Sequence, residues 1–346
     1  MLWTLWITSI VLSIVSLIIM VILILRRLVL ERRQRMRGSQ RARLQKALIE
    51  FSETRNSTAL REVMGSIPPA IVLEAGFEFL ALLRGDEHAR IIAEFTQAGL
   101  VGQAGRLLKH GNRIERILAA EMLGAFASPE SSEALLQAFM NERLDDTRIA
   151  AAIALSQLGK LPPVSEVIDR ISETGKRSRR IAELFGGLSQ DRLPELKAFV
   201  IRPEETPFAR AAAIEAIGST GDPALLDFMQ SMAKDASPDV AAAAIRILGR
   251  IGDPSASPAV IKAMADTRHN DLRAEAAEAA GRIGSLDFAE ALIQLLSDDI
   301  WTVRYAAGRS LRVLPGGFTL LKRVAEGTAS RSQRMASLVL SEGEIA

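Results

Sequence analysis

An arginine opens an apolar, mostly alanine-rich run at Arg116, Arg148, Arg179, Arg210, Arg273 and Arg304, and Ala241 holds the same register, so one unit returns every 31 or 32 residues. That period restricts the chain more than any other feature. A unit of this length cannot bury its apolar face alone, so each must lean on its neighbours and the array grows in one dimension as a helical solenoid.

One unit shows how the pattern is built. From Arg210 the run Ala-Ala-Ala-Ile-Glu-Ala-Ile has helical composition and stops at Gly218 and Gly221, after which Asp222-Pro223 opens the next element. Glycine ends a helix because it accepts positive φ, and proline begins one because its missing N–H is not needed there. Residues 224–234 then carry Leu225, Phe228, Met229 and Met232 at helical spacing, and a turn with Ser237 and Pro238 leads onward. Each unit is thus predicted to be a helical hairpin. Only 5% of the residues are aromatic, which suits alanine-rich helices packed backbone to backbone.

The other strong signal is at the start. No charged side chain appears before Arg26, and leucine, isoleucine, valine, methionine and tryptophan fill most positions. About 20 apolar residues suffice to span a bilayer, so residues 1–25 are expected to form a single transmembrane helix. Ser9, Ser13 and Ser16 share one stripe of it as a packing surface. Arg26, Arg27, Arg32, Arg33, Arg35 and Arg37 follow within a basic segment, residues 26–46, and would set topology and touch anionic lipid. The expectation is a single-pass protein of the bacterial cytoplasmic membrane, with its N-terminus outside and its repeats in the cytoplasm.

Charge and cysteine content narrow the function. The formal charge is +2, but residues 1–46 hold 9 basic and 1 acidic side chains, leaving 34 basic against 40 acidic, a net of −6, for the remainder. A nucleic-acid partner is therefore not expected, since phosphate binding needs a basic stripe. With no cysteine, thiolate metal sites and cysteine nucleophiles are excluded. His88, His110 and His269 are the only histidines and none forms a close ligand pair, so no metal and no cofactor are expected. Gly186-Gly187 and Gly316-Gly317 lack the lysine of a phosphate loop and read as helix terminators. Asp145-Asp146 and Asp298-Asp299 stand beside helix starts, where carboxylates favour the dipole.

The run from Asp239 to Pro254, echoed at Leu272-Arg273 and Val303-Arg304, resembles a HEAT repeat of the short bacterial type shared with phycobilisome lyase-like proteins. The resemblance covers about residues 113–325, with Ala241 departing from the expected arginine and the unit at Arg179 lacking the terminal Gly-Asp-Pro. It implies an all-α fold, a HEAT-like α-solenoid of stacked helical hairpins, here preceded by the transmembrane helix. Residues 47–112 are then a helical cap or degenerate repeats, and residues 326–346 a C-terminal cap or tail.

Two ladders follow from this register. The arginines at 116, 148, 179, 210, 273 and 304 are expected to be structural, bonding helix-end carbonyls and carboxylates of adjacent repeats, with acids such as Asp146, Asp239, Asp271 and Asp299 near the preceding turn. The second helices, which line the concave face in HEAT-like arrays, each carry a variable polar residue: Gln137, Asp169, Lys197, Gln230, Lys262, Gln294 and Lys322. The mixed charges of that row suit a protein partner. The function expected is a non-catalytic, membrane-anchored scaffold binding an integral membrane protein, with a polysaccharide-synthesising glycosyltransferase as a concrete example. The alternative is a repeat-based enzyme of the bilin lyase-like or DNA glycosylase-like type, the latter suggested by Trp301.

Overall fold

A computed structural model describes the backbone of residues 2–328 and 330–343, and the side chains at 2, 4–15, 22, 25, 28–30, 33 and 343 lie outside the described residues. Among the described residues the regular structure is entirely helical. The chain divides into two compact units, Met1–Asn141 and Glu142–Ala346.

The first unit holds α1 (Leu2–Thr54), α2 (Ser57–Gly65), α3 (Pro69–Ala81), α4 (Gly85–Gln97), α5 (Leu100–His110), α6 (Arg113–Phe126) and α7 (Pro129–Asn141). The far end of α1 buries Leu44, Leu48 and Phe51, and α1 packs on α2 and α3. Asn112 starts α6 with a capping box: its side chain accepts from the Glu115 N–H at 3.1 Å, and Glu115 accepts from the Asn112 N–H at 2.9 Å. Ion pairs here also join helices about one unit apart in sequence, as between Arg61 and Glu94 at 2.8 Å.

The expected membrane anchor is corrected by this structure. Among the described residues no helix is long and apolar enough to cross a membrane. α1 itself runs without a break through the basic residues to Thr54. The single-pass placement in a bacterial cytoplasmic membrane therefore falls. The topology and lipid roles of Arg26, Arg27, Arg32, Arg35 and Arg37 and the packing role of Ser16 presupposed that anchor and lose this basis. The side chains of Ser9, Ser13 and Arg33 lie outside the described residues.

The second unit contains α8 (Asp145–Gln157), α9 (Val164–Asp169), α10 (Arg179–Gly186), α11 (Leu193–Val200), α12 (Pro207–Ile217), α13 (Leu226–Met232), α14 (Pro238–Ile251), α15 (Ser257–Met264), α16 (Asn270–Ile283), α17 (Ala289–Leu295), α18 (Trp301–Val313), α19 (Gly317–Ala325) and α20 (Arg331–Gly343). The even-numbered helices are the first helices of successive hairpins and pack one on the next from α8 to α20. The odd-numbered ones form the second layer. This is an all-helical, HEAT-like solenoid.

Small residues set the spacing within the first layer. At Gly249 a Cβ would stand 2.8 Å from the Ala279 Cα, so α14 and α16 approach at a point where no side chain fits. Around it Ala244, Ile247, Leu248, Ala276 and Ala280 are fully buried. Each large aliphatic side chain so buried contributes about 2 kcal/mol. The first helices stop where glycine permits: Gly252 takes φ 75° and its N–H bonds the Leu248 carbonyl at 3.0 Å.

The second helices begin later than the sequence predicts. Asp253 accepts from the Ser255 N–H at 2.8 Å and Pro254 opens a 3-10 turn, so α15 starts only at Ser257. The same device at Asp222-Pro223 delays α13 to Leu226. An aspartate side chain that holds the N–H two residues on favours a tight turn over an α-helical start.

Candidate partner-binding site

The arginine register is used inside the solenoid and bonds carbonyls and carboxylates, although the carboxylates are not the ones named from the sequence. Arg210 is 5% exposed; its Nε donates to the Val200 carbonyl at 2.7 Å and its fork pairs with Asp235. Arg273 donates to the Asp266 carbonyl at 3.0 Å and grips Asp298 with two bonds of 2.7 and 3.0 Å. Arg304 donates to the carbonyls of Asp298 and Asp299 at 2.6 and 2.9 Å, and Arg148 to those of Glu142 and Arg170. Each guanidinium thus ties the turn behind its own helix, and Arg210 and Arg273 also hold a carboxylate in the turn 25 residues ahead.

Asp239 and Asp271, the acids expected as partners, sit instead in the first turns of α14 and α16. There the helix dipole favours them. Asp299 pairs with Arg331. Arg116 lies in α6 of the first unit. Arg179 is exposed, and a neighbouring pair bridges that hairpin to the next: Lys176, 9% exposed, donates to Glu205, 7% exposed, at 2.8 Å.

The charge state of these groups follows from their bonds. Burial pushes the Asp298 carboxyl up, but hydrogen bonds from Arg273 and the Ile300 N–H, together with nearby guanidinium charge, hold it below the usual carboxylate range. For Lys176, burial works against the charge and the bonds to Glu205 and Glu173 overcome it, raising its pKa. A network of the same kind is hidden from the sequence: Arg246 on α14 pairs with Glu215 on α12 and, at 2.7 Å, with Glu275 on α16. Its only trace there is a recurrence of opposite charges about one period apart.

The row on the second helices is placed as follows. Lys197 (α11) lies 5.5 Å from the Phe228 ring of α13. Gln230 (α13) donates to the Ser255 carbonyl at 3.1 Å, just before α15. Lys262 (α15), Gln294 (α17) and Lys322 (α19) are exposed or half-buried, as is Asp169 (α9); Lys322 stands 4.9 Å over the Phe318 ring. Gln137 is exposed on α7 and belongs to the first unit. Gln230 and Lys262 both line a cavity of about 520 Å³ between consecutive hairpins, whose wall includes Ala241 and Asp266.

The residues weighed for catalysis do not converge. His88 and His110 lie on α4 and α5 of the first unit, and His269 stands 3.2 Å from Asp266 in the second. Among the described residues no group of three or more histidine, aspartate or glutamate side chains could hold a metal ion. Asp145 is occupied with Ser172 and Arg148. Trp301 is 52% exposed and stacks on Tyr305 with centroids 4.9 Å apart.

Comparison with known proteins bears on the repeats. The family described as HEAT repeats matches residues 193–280 and 226–312. No curated protein is similar to the chain in sequence. Among solved structures, the karyopherin Kap121p bound to the SUMO protease Ulp1p has a TM-score of 0.51 at 14% identity, over 86% of this chain and 41% of that one. Kap121p bound to Pho4p gives 0.51 at 14% identity, covering 85% and 41%. Kap121p bound to Ste12p gives 0.52 at 13%, covering 84% and 38%. The chain spans about two fifths of the length of these karyopherin chains, and at such identity the likeness is one of fold. Residues 193–312 match HEAT repeats, and the fold is that of a HEAT-like solenoid.

Proposed function

We propose that the protein is a non-catalytic adaptor that binds an extended segment of a protein partner along the second helices of its solenoid. The observation that carries this reading is the division of labour between the two helix layers. Four of the register guanidiniums, Arg148, Arg210, Arg273 and Arg304, are tied to turns inside the array. The polar residues of the second layer from Lys197 to Lys322 recur once per hairpin and are exposed or half-buried. A row of mixed charge, repeated at the spacing of the hairpins, matches a polypeptide better than a polyanion.

The solved karyopherin structures of similar fold hold protein partners, Ulp1p, Pho4p and Ste12p, which supports the class of ligand. The further idea of an integral membrane protein or glycosyltransferase as partner rested on the anchor and loses that support.

The test is a set of single alanine substitutions at Lys197, Gln230, Lys262, Gln294 and Lys322, read by the affinity of a copurifying partner and by urea denaturation. An adaptor row loses affinity in steps of about 3- to 30-fold per residue with stability unchanged. Abrupt loss of a turnover at one acidic residue, with binding kept, would instead make the protein an enzyme.

A further inference from the structure

The cavity between the hairpins lies at the one position of the arginine register from Arg116 to Arg304 that carries an alanine, Ala241. Arg210 and Arg273 reach carboxylates 25 residues ahead, Asp235 and Asp298. The residue at the same distance from Ala241 is Asp266, and both line the cavity. The three aspartates are built alike: Oδ1 accepts the N–H two residues on, from Ser237 at 2.9 Å, Arg268 at 2.8 Å and Ile300 at 2.8 Å.

The difference lies at the other oxygen. Oδ2 of Asp235 and of Asp298 takes the guanidinium of its rung, whereas at Asp266 the side-chain hydrogen bonds among the described residues, including that with the His269 ring, reach Oδ1. Ala241 is 2% exposed and ends at a methyl where its counterparts carry a guanidinium. Lys234 and Asp235, which also line the cavity, stand at the register whose carbonyls hold Arg273 and Arg304 in their own rungs.

We propose that this cavity is a subsite for an arginine side chain of the bound protein segment, whose guanidinium takes the place that Ala241 leaves open and bonds Asp266 as Arg273 bonds Asp298. The inference rests on the adaptor reading for the nature of the ligand, and it adds a sequence requirement. Gln230 and Lys262 of the second-layer row line the same cavity, so the arginine enters from a segment lying along that row. Lys234, Lys262 and Arg268 carry their charges at exposed or half-buried positions, while the Asp266 side chain is 22% exposed. The cations are therefore screened by solvent more than the carboxylate is. Arginine is favoured over lysine because the rungs are built on the planar fork that bonds a carboxylate through two nitrogens.

The experiment titrates the full chain with a fluorescent pentapeptide, Ala-Ala-Arg-Ala-Ala capped at both ends, and with its citrulline and lysine counterparts. Binding about tenfold tighter for arginine than for citrulline is expected, lost in Asp266→Asn and in Ala241→Arg, with Ala241→Arg melting at a higher temperature because the rung is completed in cis. Equal binding of the citrulline peptide, or unchanged arginine preference in Ala241→Arg, overturns the subsite. Should Ala241→Arg fail to fold, Asp266→Asn decides alone: an arginine preference that survives it overturns the proposal. Competition by inorganic phosphate that strengthens in Asp266→Asn would make the cavity an anion site and also overturns it. A protein partner that binds all variants alike removes the subsite and leaves the adaptor reading standing, whereas loss of that reading appears as a partner indifferent to Lys197 and Gln294.

Discussion

The pair formed by Arg273 and Asp298 shows how much one side chain of the ladder contributes. Both side chains are largely buried, 13% and 9% exposed, so Arg273→Ala strands a carboxylate and is expected to lower stability by about 3 kcal/mol. The folded pKa of Asp298 lies below its unfolded value. The stabilisation is therefore complete above the ordinary aspartate pKa of about 3.9 and is lost as pH falls through the lower, folded value. Urea denaturation should show a constant gap between wild type and Arg273→Ala from about pH 5 to 8 that narrows below about pH 4. A gap undiminished at about pH 2 would assign the stability to packing of the arginine stem.

The register of these arginines is plain in the sequence, but their acceptors are not. A guanidinium is long enough to reach either the turn behind or the turn ahead, and only the stacking distance between hairpins decides. Arg179 and Lys176 make the point: both are basic and close in sequence, and it is burial beside Glu205 that gives the structural bond to Lys176.

Among the helices, two glycines at the end of α14 separate what local pattern and what packing require. Gly252 has φ 75°, and a Cβ there would meet open space. Gly252→Ala is then expected to cost about 1 kcal/mol, the strain of a left-handed alanine. Gly249 is helical, and a Cβ there would meet the Ala279 backbone, so Gly249→Ala must push α14 from α16 at about 1–3 kcal/mol. Equilibrium urea denaturation of the two variants checks the order, and equal losses would mean that the first layer is looser than its geometry. Gly252 can be read from the sequence as a terminator before Asp-Pro. Gly249 cannot, because the reason for it lies in another helix.

Across the molecule, contacts run mainly between successive hairpins, so perturbation should spread along the stack and fade with distance. Arg246 tests this, since it joins α14 to both α12 and α16. It is 38% exposed, so Arg246→Ala should cost no more than about 1 kcal/mol. Amide hydrogen exchange is expected to quicken in α12, α14 and α16 together while α20 keeps its protection. A uniform change over all of them would show that the second unit opens as one block.

The class of architecture, the hairpin unit and its period are written in the chain itself, because glycine, proline and alanine act through local conformation and each unit repeats the same code. The polar residue of each second helix is legible too, since those positions break an apolar spacing. The apolar start suggested a span, but the described residues contain no helix long and apolar enough to cross a membrane. Packing in three dimensions sets the rest: which carboxylate each guanidinium holds, where Lys176 replaces the ladder, and that Ala241 and Asp266 line one cavity. These depend on distances between residues 22 to 32 apart in sequence, and a missing side chain becomes a site only when its neighbours show what should have filled it.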